Sequence, residues 1–78
     1  MKEVTIYSTP TCHFCQLAKE YFKAHNVAYT EHNVAVDREK LAEMVQITGM
    51  RSVPVIRIGD EVVVGFQESQ VASMLGIA

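Results

Sequence analysis

The order of two hydrophobic patterns constrains the fold of this chain most strongly. Residues 3–8 alternate polar and apolar side chains and are rich in β-branched and aromatic types, which is typical of a strand. After Thr9-Pro10-Thr11, residues from about 12 to 25 have the spacing of an amphipathic helix, with apolar side chains at Phe14, Leu17, Ala18, Tyr21 and Phe22. A strand that passes so directly into a helix predicts a right-handed β-α-β unit, provided that a parallel strand follows.

The rest of the chain supplies that strand and completes a sheet. Three further strands are predicted, at Val27–Val34, Val53–Ile58 and Glu61–Gly65. Gly59-Asp60 is a two-residue hairpin turn between the last two of them. Helices are predicted from the N-cap Asp37 to Gly49, and from about Gln67 to Leu75. The order β-α-β-α-β-β-α indicates an α/β fold, a four-stranded mixed sheet with helices on both faces.

Length and composition exclude several classes of protein. The 78 residues suit one domain, residues 1–78, and two cysteines cannot form the disulfide framework of a small secreted scaffold. Seven basic side chains against nine acidic ones leave no basic block for nucleic acid, and no apolar run approaches a membrane span. The amino terminus also lacks the apolar core of a signal peptide. We therefore expect a cytoplasmic monomer that binds neither nucleic acid nor membranes.

Cys12-His13-Phe14-Cys15 is the motif that carries chemistry. Two cysteines separated by two residues, at the start of a helix that follows a strand, are typical of a redox-active dithiol. The unpaired N–H groups and the positive dipole end of the helix favour a thiolate at Cys12, and the thiolate is the nucleophilic form. Cys15 is less than one turn away, so it can close a disulfide or resolve a mixed one. A protonated His13 would add positive charge beside the thiolate.

Two other interpretations of the cysteine pair are weaker. Zinc needs four ligands, but His25 lies about 18 Å from Cys12 along the helix and His32 has no matching partner. A purely structural disulfide would stabilise little, because the loop that it closes is so short. No metal and no organic cofactor is therefore predicted.

Three segments of the chain resemble the glutaredoxin family. They are Tyr7–Cys15, Arg51–Val55 and Val64–Phe66, which occur in the order and at the spacing of that family. The resemblance implies a thioredoxin-like fold with strand order 2-1-3-4, a cis peptide bond before Pro54, and the reduction of protein disulfides by Cys12 as nucleophile and Cys15 as resolving thiol. It also implies that the substrate is bound at Thr11, Arg51, Val53, Pro54, Gly65, Phe66 and Gln67.

The sequence departs from glutaredoxins that use glutathione. His13 stands where they usually have proline, Thr9 stands where they usually have lysine, and residues 64–68 lack their Gly-Gly stretch followed by a polar residue and Asp. This last segment is more similar to that of NrdH-type redoxins, which take electrons from thioredoxin reductase. We expect thioredoxin reductase, in preference to glutathione, as the electron donor. The alternative function is a glutaredoxin-like module that binds an iron–sulfur cluster or a metal through Cys12.

Overall fold

A four-stranded sheet with three helices makes up the computed structural model, which describes residues 3–77. The strands are β1 (Val4–Ser8), β2 (Thr30–Asn33), β3 (Val55–Ile58) and β4 (Glu61–Val64). The helices are α1 (His13–Ala24), α2 (Arg38–Thr48) and α3 (Glu68–Leu75). The predicted order of elements is confirmed, and none of these three helices is long and apolar enough to cross a membrane.

The strands lie in the order β2-β1-β3-β4, as the family resemblance implied. β2 runs parallel to β1, with Ser8 opposite Asn33, whereas β3 is antiparallel to β1, with Val55 opposite Tyr7. The Gly59-Asp60 turn joins β3 to β4 in the predicted hairpin. The carboxyl ends of β1 and β2 and the amino end of β3 therefore lie together. We call this end of the sheet, marked by Ser8, Asn33 and Val55, the dithiol end.

Apolar side chains fill both faces of the sheet. Ile6 of β1 belongs to a cluster with α1 and α3, and the next residue, Tyr7, belongs to a second cluster with α2, because side chains alternate along a strand. The first cluster consists of Val4, Ile6, Ala18, Phe22, Ile56, Ile58, Val63 and Val71. The second consists of Tyr7, Val34, Met44 and Val55. Helices thus cover both faces, as predicted.

Local capping residues determine where α2 begins and ends. The Asp37 carboxylate accepts a hydrogen bond of 3.1 Å from the backbone N–H of Lys40, which confirms Asp37 as the N-cap. Gly49 ends the helix at φ +72°, and its N–H donates to the carbonyl of Val45 at 2.7 Å.

All four strands are shorter than predicted: β1 lacks Glu3 and β4 lacks Gly65, and β2 and β3 are shorter by two or more residues. β2 begins at Thr30 instead of Val27, because the N–H of Val27 donates to the carbonyl of Phe22 at the end of α1. β3 begins at Val55 instead of Val53, since Pro54 has no N–H to donate to the sheet. The cis bond between Val53 and Pro54 that the resemblance implied is present.

The first turn of α1 exposes a residue that the apolar spacing predicted to be buried. Cys15, Ala18 and Phe22 form the buried face, whereas Phe14 is 57% exposed. Consecutive helical residues are about 100° apart. Turning Cys15 toward the sheet therefore turns Phe14 away from it, and the Phe14 ring lies beside that of His13, at 5.6 Å between centroids.

Candidate active site

Cys12 and Cys15 lie where β1 leads into α1, at the dithiol end of the sheet. The two side chains form a disulfide, with Cα atoms 5.2 Å apart. Cys12 is the N-cap of α1, and its Sγ accepts a hydrogen bond of 3.2 Å from the backbone N–H of Cys15. The unpaired N–H groups at a helix start favour a negative charge. The same N–H is therefore positioned to stabilise a Cys12 thiolate in the reduced protein.

The two sulfur-bearing residues differ in their access to solvent. Cys15 is fully buried, with 0% exposure, whereas Cys12 is only half-buried. Burial disfavours the ionised form of a thiol, and a buried sulfur is shielded from a large substrate. The fold thus makes Cys12 the accessible sulfur and Cys15 the protected one.

Three of the residues predicted to bind substrate meet at the dithiol end. Pro54 is buried, and it immediately precedes Val55, the partner of Tyr7 in the sheet. The N–H of Gly65 donates to the carbonyl of Pro54 at 2.8 Å. Gly65 has φ +85°, a conformation that side-chain-bearing residues rarely adopt. Half-buried Val53 completes this group.

The other predicted site residues lie on several different segments of the chain, and most of them are exposed. Thr11 and His13 are exposed on either side of Cys12 in the sequence, and Arg51 is exposed in the loop before β3. Gln67 is exposed at the N-cap of α3. Phe66 instead packs beside α1, with its ring centroid 5.7 Å from that of Tyr21, so part of its surface belongs to the core.

A charged cluster lies next to α1, the helix that bears Cys15, and no local sequence pattern predicts it. Ser8, which is only 1% exposed, donates a 2.7 Å hydrogen bond to Glu31, and Lys19 donates to the same carboxylate oxygen at 2.8 Å. The bonds from Lys19 and from Ser8 hold the pKa of the Glu31 carboxyl below its usual value. Because Lys19 follows Cys15 by one helical turn, the cluster ties α1 to the carboxyl ends of β1 and β2.

The remaining histidines pack against aromatic rings. His25 lies 4.3 Å from Tyr21 and His32 lies 5.6 Å from Tyr7, measured between ring centroids. Within residues 3–77, no group of three or more His, Cys, Asp or Glu side chains is arranged to hold a metal ion.

Comparison with known proteins agrees with this geometry. The glutaredoxin family model matches residues 4–63. A glutaredoxin of Neisseria meningitidis is 41% identical over 87% of this chain and 81% of its own length. The glutaredoxin-like protein NrdH of Lactococcus lactis is 31% identical over 91% of this chain and 97% of its own.

A solved structure extends the agreement to the fold. The crystal structure of the thioredoxin-like protein BC3987 superimposes with a TM-score of 0.87 at 32% identity, over 92% of this chain and 99% of that one. The fold is therefore thioredoxin-like, with the cysteine pair at the start of its first helix. On the family match, the relatives and the Cys12–Cys15 disulfide, this chain belongs to the glutaredoxin family of thiol–disulfide oxidoreductases.

Proposed function

We propose that the protein reduces disulfides of other proteins, with Cys12 as the attacking thiolate and Cys15 as the resolving thiol. The observation that carries this assignment is the difference in access between the two sulfurs. Cys12 caps the helix at a half-buried position and Cys15 is fully buried behind it. A bulky substrate disulfide can approach the first sulfur but not the second.

The exchange then proceeds in two balanced steps. The Cys12 thiolate attacks one sulfur of the substrate disulfide, whose S–S bond breaks, and the released thiolate takes up a proton. Cys15 loses its proton and attacks the Cys12 sulfur of the mixed disulfide, which expels the second substrate thiolate. Two electrons have passed to the substrate, and the protein is left with the Cys12–Cys15 disulfide that the structure contains.

Single-cysteine variants test these roles. Cys15→Ser should still attack, and it should accumulate a mixed disulfide with a protein substrate because nothing resolves it. Cys12→Ser should form no adduct and reduce nothing. Mass spectrometry before and after dithiothreitol identifies the adduct and its disulfide linkage. Adducts on Cys15 in the Cys12→Ser variant, at the rate seen for Cys12, would contradict the assignment.

The alternative function through Cys12 has its own signature. An iron–sulfur cluster absorbs visible light, whereas a dithiol does not. A visible spectrum of the freshly purified protein, together with its iron content, therefore separates the two functions. Stoichiometric iron with visible absorption would favour the cluster-binding module.

For the electron donor we propose a thioredoxin reductase, acting in a reducing compartment such as the cytoplasm. Thr9 in place of the lysine and the absence of the Gly-Gly stretch at residues 64–68 support this choice over glutathione. Of the relatives compared above, one is named a glutaredoxin and the other NrdH, so names alone do not choose between the donors. Reduction of the Cys12–Cys15 disulfide should be faster with NADPH and thioredoxin reductase than with glutathione and its reductase. The reverse order of rates would overturn this proposal.

A further inference from the structure

A groove beside α2 combines an apolar floor with two guanidinium groups. Its volume is about 450 Å³, and Leu41, Ala42 and Val45 of α2 line it together with Arg38 and Arg51. Arg38 is the first residue of α2, and Arg51 lies in the loop that leads from α2 into β3. We call this feature the α2 groove.

Neither arginine of the α2 groove forms an ion pair within the residues that the structure describes. Lys19 and Lys23 are close enough to Glu31 to lower the pKa of its carboxyl, and Lys40 lies 3.4 Å from the Glu43 carboxylate. Arg57 lines a separate cavity, together with the acidic residues Glu3 and Asp60. Within residues 3–77, Arg38 and Arg51 have no such partner. In a chain of net charge −2, two guanidinium groups without an ion pair therefore line one groove.

The topology places both arginines of the groove in segments that adjoin the dithiol end of the sheet. Arg38 starts the helix that follows the carboxyl end of β2, where Asn33 lies opposite Ser8. Arg51 is four residues before Val55, which begins β3 at the same end of the sheet. Both charges thus belong to segments that meet the dithiol end, so a chain held at Cys12 can extend into the groove.

We propose that the α2 groove binds the segment of a protein substrate that adjoins its reducible disulfide, and that this segment carries acidic side chains around an apolar one. The inference rests on the function proposed above and specifies the class of substrate. Arginine binds carboxylates through paired N–H donors. The floor of Leu41, Ala42 and Val45 offers burial to one apolar side chain between those carboxylates.

Matched peptides test the recognition directly. Each peptide contains one intramolecular disulfide, flanked on either side by Glu-Leu-Leu-Glu, Gln-Leu-Leu-Gln or Lys-Leu-Leu-Lys. The prereduced full-length protein is mixed with each peptide, and the second-order rate of disulfide reduction is measured at low and high salt. We expect the acidic peptide to react several-fold faster than the neutral one at low salt, and the basic one more slowly. At high salt the three rates should become more similar, because exposed charges are screened.

Variants assign the preference to the α2 groove. Arg38→Gln and Arg51→Gln should each lower the ratio of acidic to neutral rates by about two- to fivefold, the range for an exposed ion pair. The variant that carries both substitutions should have a ratio of acidic to neutral rates close to one. Lys23→Gln removes the same charge from an exposed position on α1 and should keep the wild-type ratio. Using a ratio of rates cancels any general effect of a variant on the dithiol.

Each of the other possible outcomes shows which part of the proposal is wrong. If all three peptides are reduced at one rate, or if Lys23→Gln lowers the ratio as much as the arginine variants do, the α2 groove is not the docking site. If glutathione disulfide reacts faster than every peptide and the arginine variants abolish that advantage, the occupant is glutathione, and the proposed protein segment is wrong. If no disulfide is reduced at all, the proposed function itself fails, and this inference fails with it.

Discussion

The hydroxyl of Tyr7 donates a 2.6 Å hydrogen bond to the carboxylate of Glu43, across 36 residues of sequence. Tyr7 lies near the end of β1 and is 2% exposed, and Glu43 belongs to α2. Burial, reinforced by the bond to Glu43, raises the pKa of Tyr7 to about 12. The same bond, with help from Lys40, lowers the pKa of the Glu43 carboxyl. The strand that leads to Cys12 is thereby joined to α2, which lines the proposed docking groove.

Tyr7→Phe should lower the free energy of unfolding by about 1.5–3 kcal/mol, because it removes a hydrogen bond to a charged group. Urea unfolding of the oxidised protein measures the change. Tyr29→Phe is the matched control, since Tyr29 packs at the margin of the other core cluster and its hydroxyl has no hydrogen bond with residues 3–77. We expect the control to stay within about 0.5 kcal/mol of wild type. Equal losses in both variants would mean that the Glu43 bond contributes nothing.

Stability should fall in mild acid, and Glu43→Gln should weaken that dependence. The pKa values of Glu43 and Glu31 are lower in the folded protein than their ordinary values, so folding holds both carboxyls in the charged form. This stabilisation is fully present above the unfolded pKa of about 4.3, and it disappears as the pH falls through the folded values. Urea midpoints measured between pH 7 and pH 3 should therefore fall less steeply for Glu43→Gln than for wild type. Glu20→Gln, which changes an exposed side chain of α1, should keep the wild-type slope.

Gly49→Ala should destabilise the protein by about 1–2 kcal/mol through backbone strain alone. Gly49 has φ +72°, and a Cβ placed there would meet no atom within 4 Å, so no steric clash contributes. Asparagine tolerates this conformation better than alanine does. Thermal unfolding should therefore rank wild type above Gly49→Asn and Gly49→Asn above Gly49→Ala. A Gly49→Ala variant as stable as wild type would show that the helix can end without the left-handed residue.

His13→Ala should raise the pKa of the Cys12 thiol at mildly acidic pH, by removing a positive charge that favours the thiolate. His13 is exposed, so the effect should diminish at high salt. The rate of Cys12 alkylation as a function of pH, in reduced Cys15→Ser and in Cys15→Ser with His13→Ala, measures the thiolate fraction. His13→Gln should behave like His13→Ala, because both lack the charge. Identical pH profiles at low and high salt would leave the helix N-terminus as the activator of Cys12.

Several site features depend on contacts between distant residues, which the sequence pattern does not contain. The position of Cys12 and Cys15 at a helix start, together with the resemblance, predicted their roles, but only the fold shows that one is half-buried and the other fully buried. Helical spacing counted Phe14 among the apolar stripe, yet the sheet contacts the face that begins at Cys15. Arg51 was expected to bind substrate from the resemblance, whereas its neighbour in the groove, Arg38, has no motif that marks it.

The sequence by itself determined the order and type of the elements, the caps at Asp37 and Gly49, and the position of the dithiol at a helix start. These features depend on periodicity, on φ preference and on hydrogen bonds that span three or four residues, so a single segment is enough to specify them. Only the tertiary structure decided that β2 begins at Thr30 and which of the two cysteines remains accessible. It also decided the Tyr7–Glu43 pairing and the convergence of two free arginines on one groove. These depend on which faces of α1 and α2 pack on the sheet, because packing brings together groups that lie tens of residues apart in the sequence.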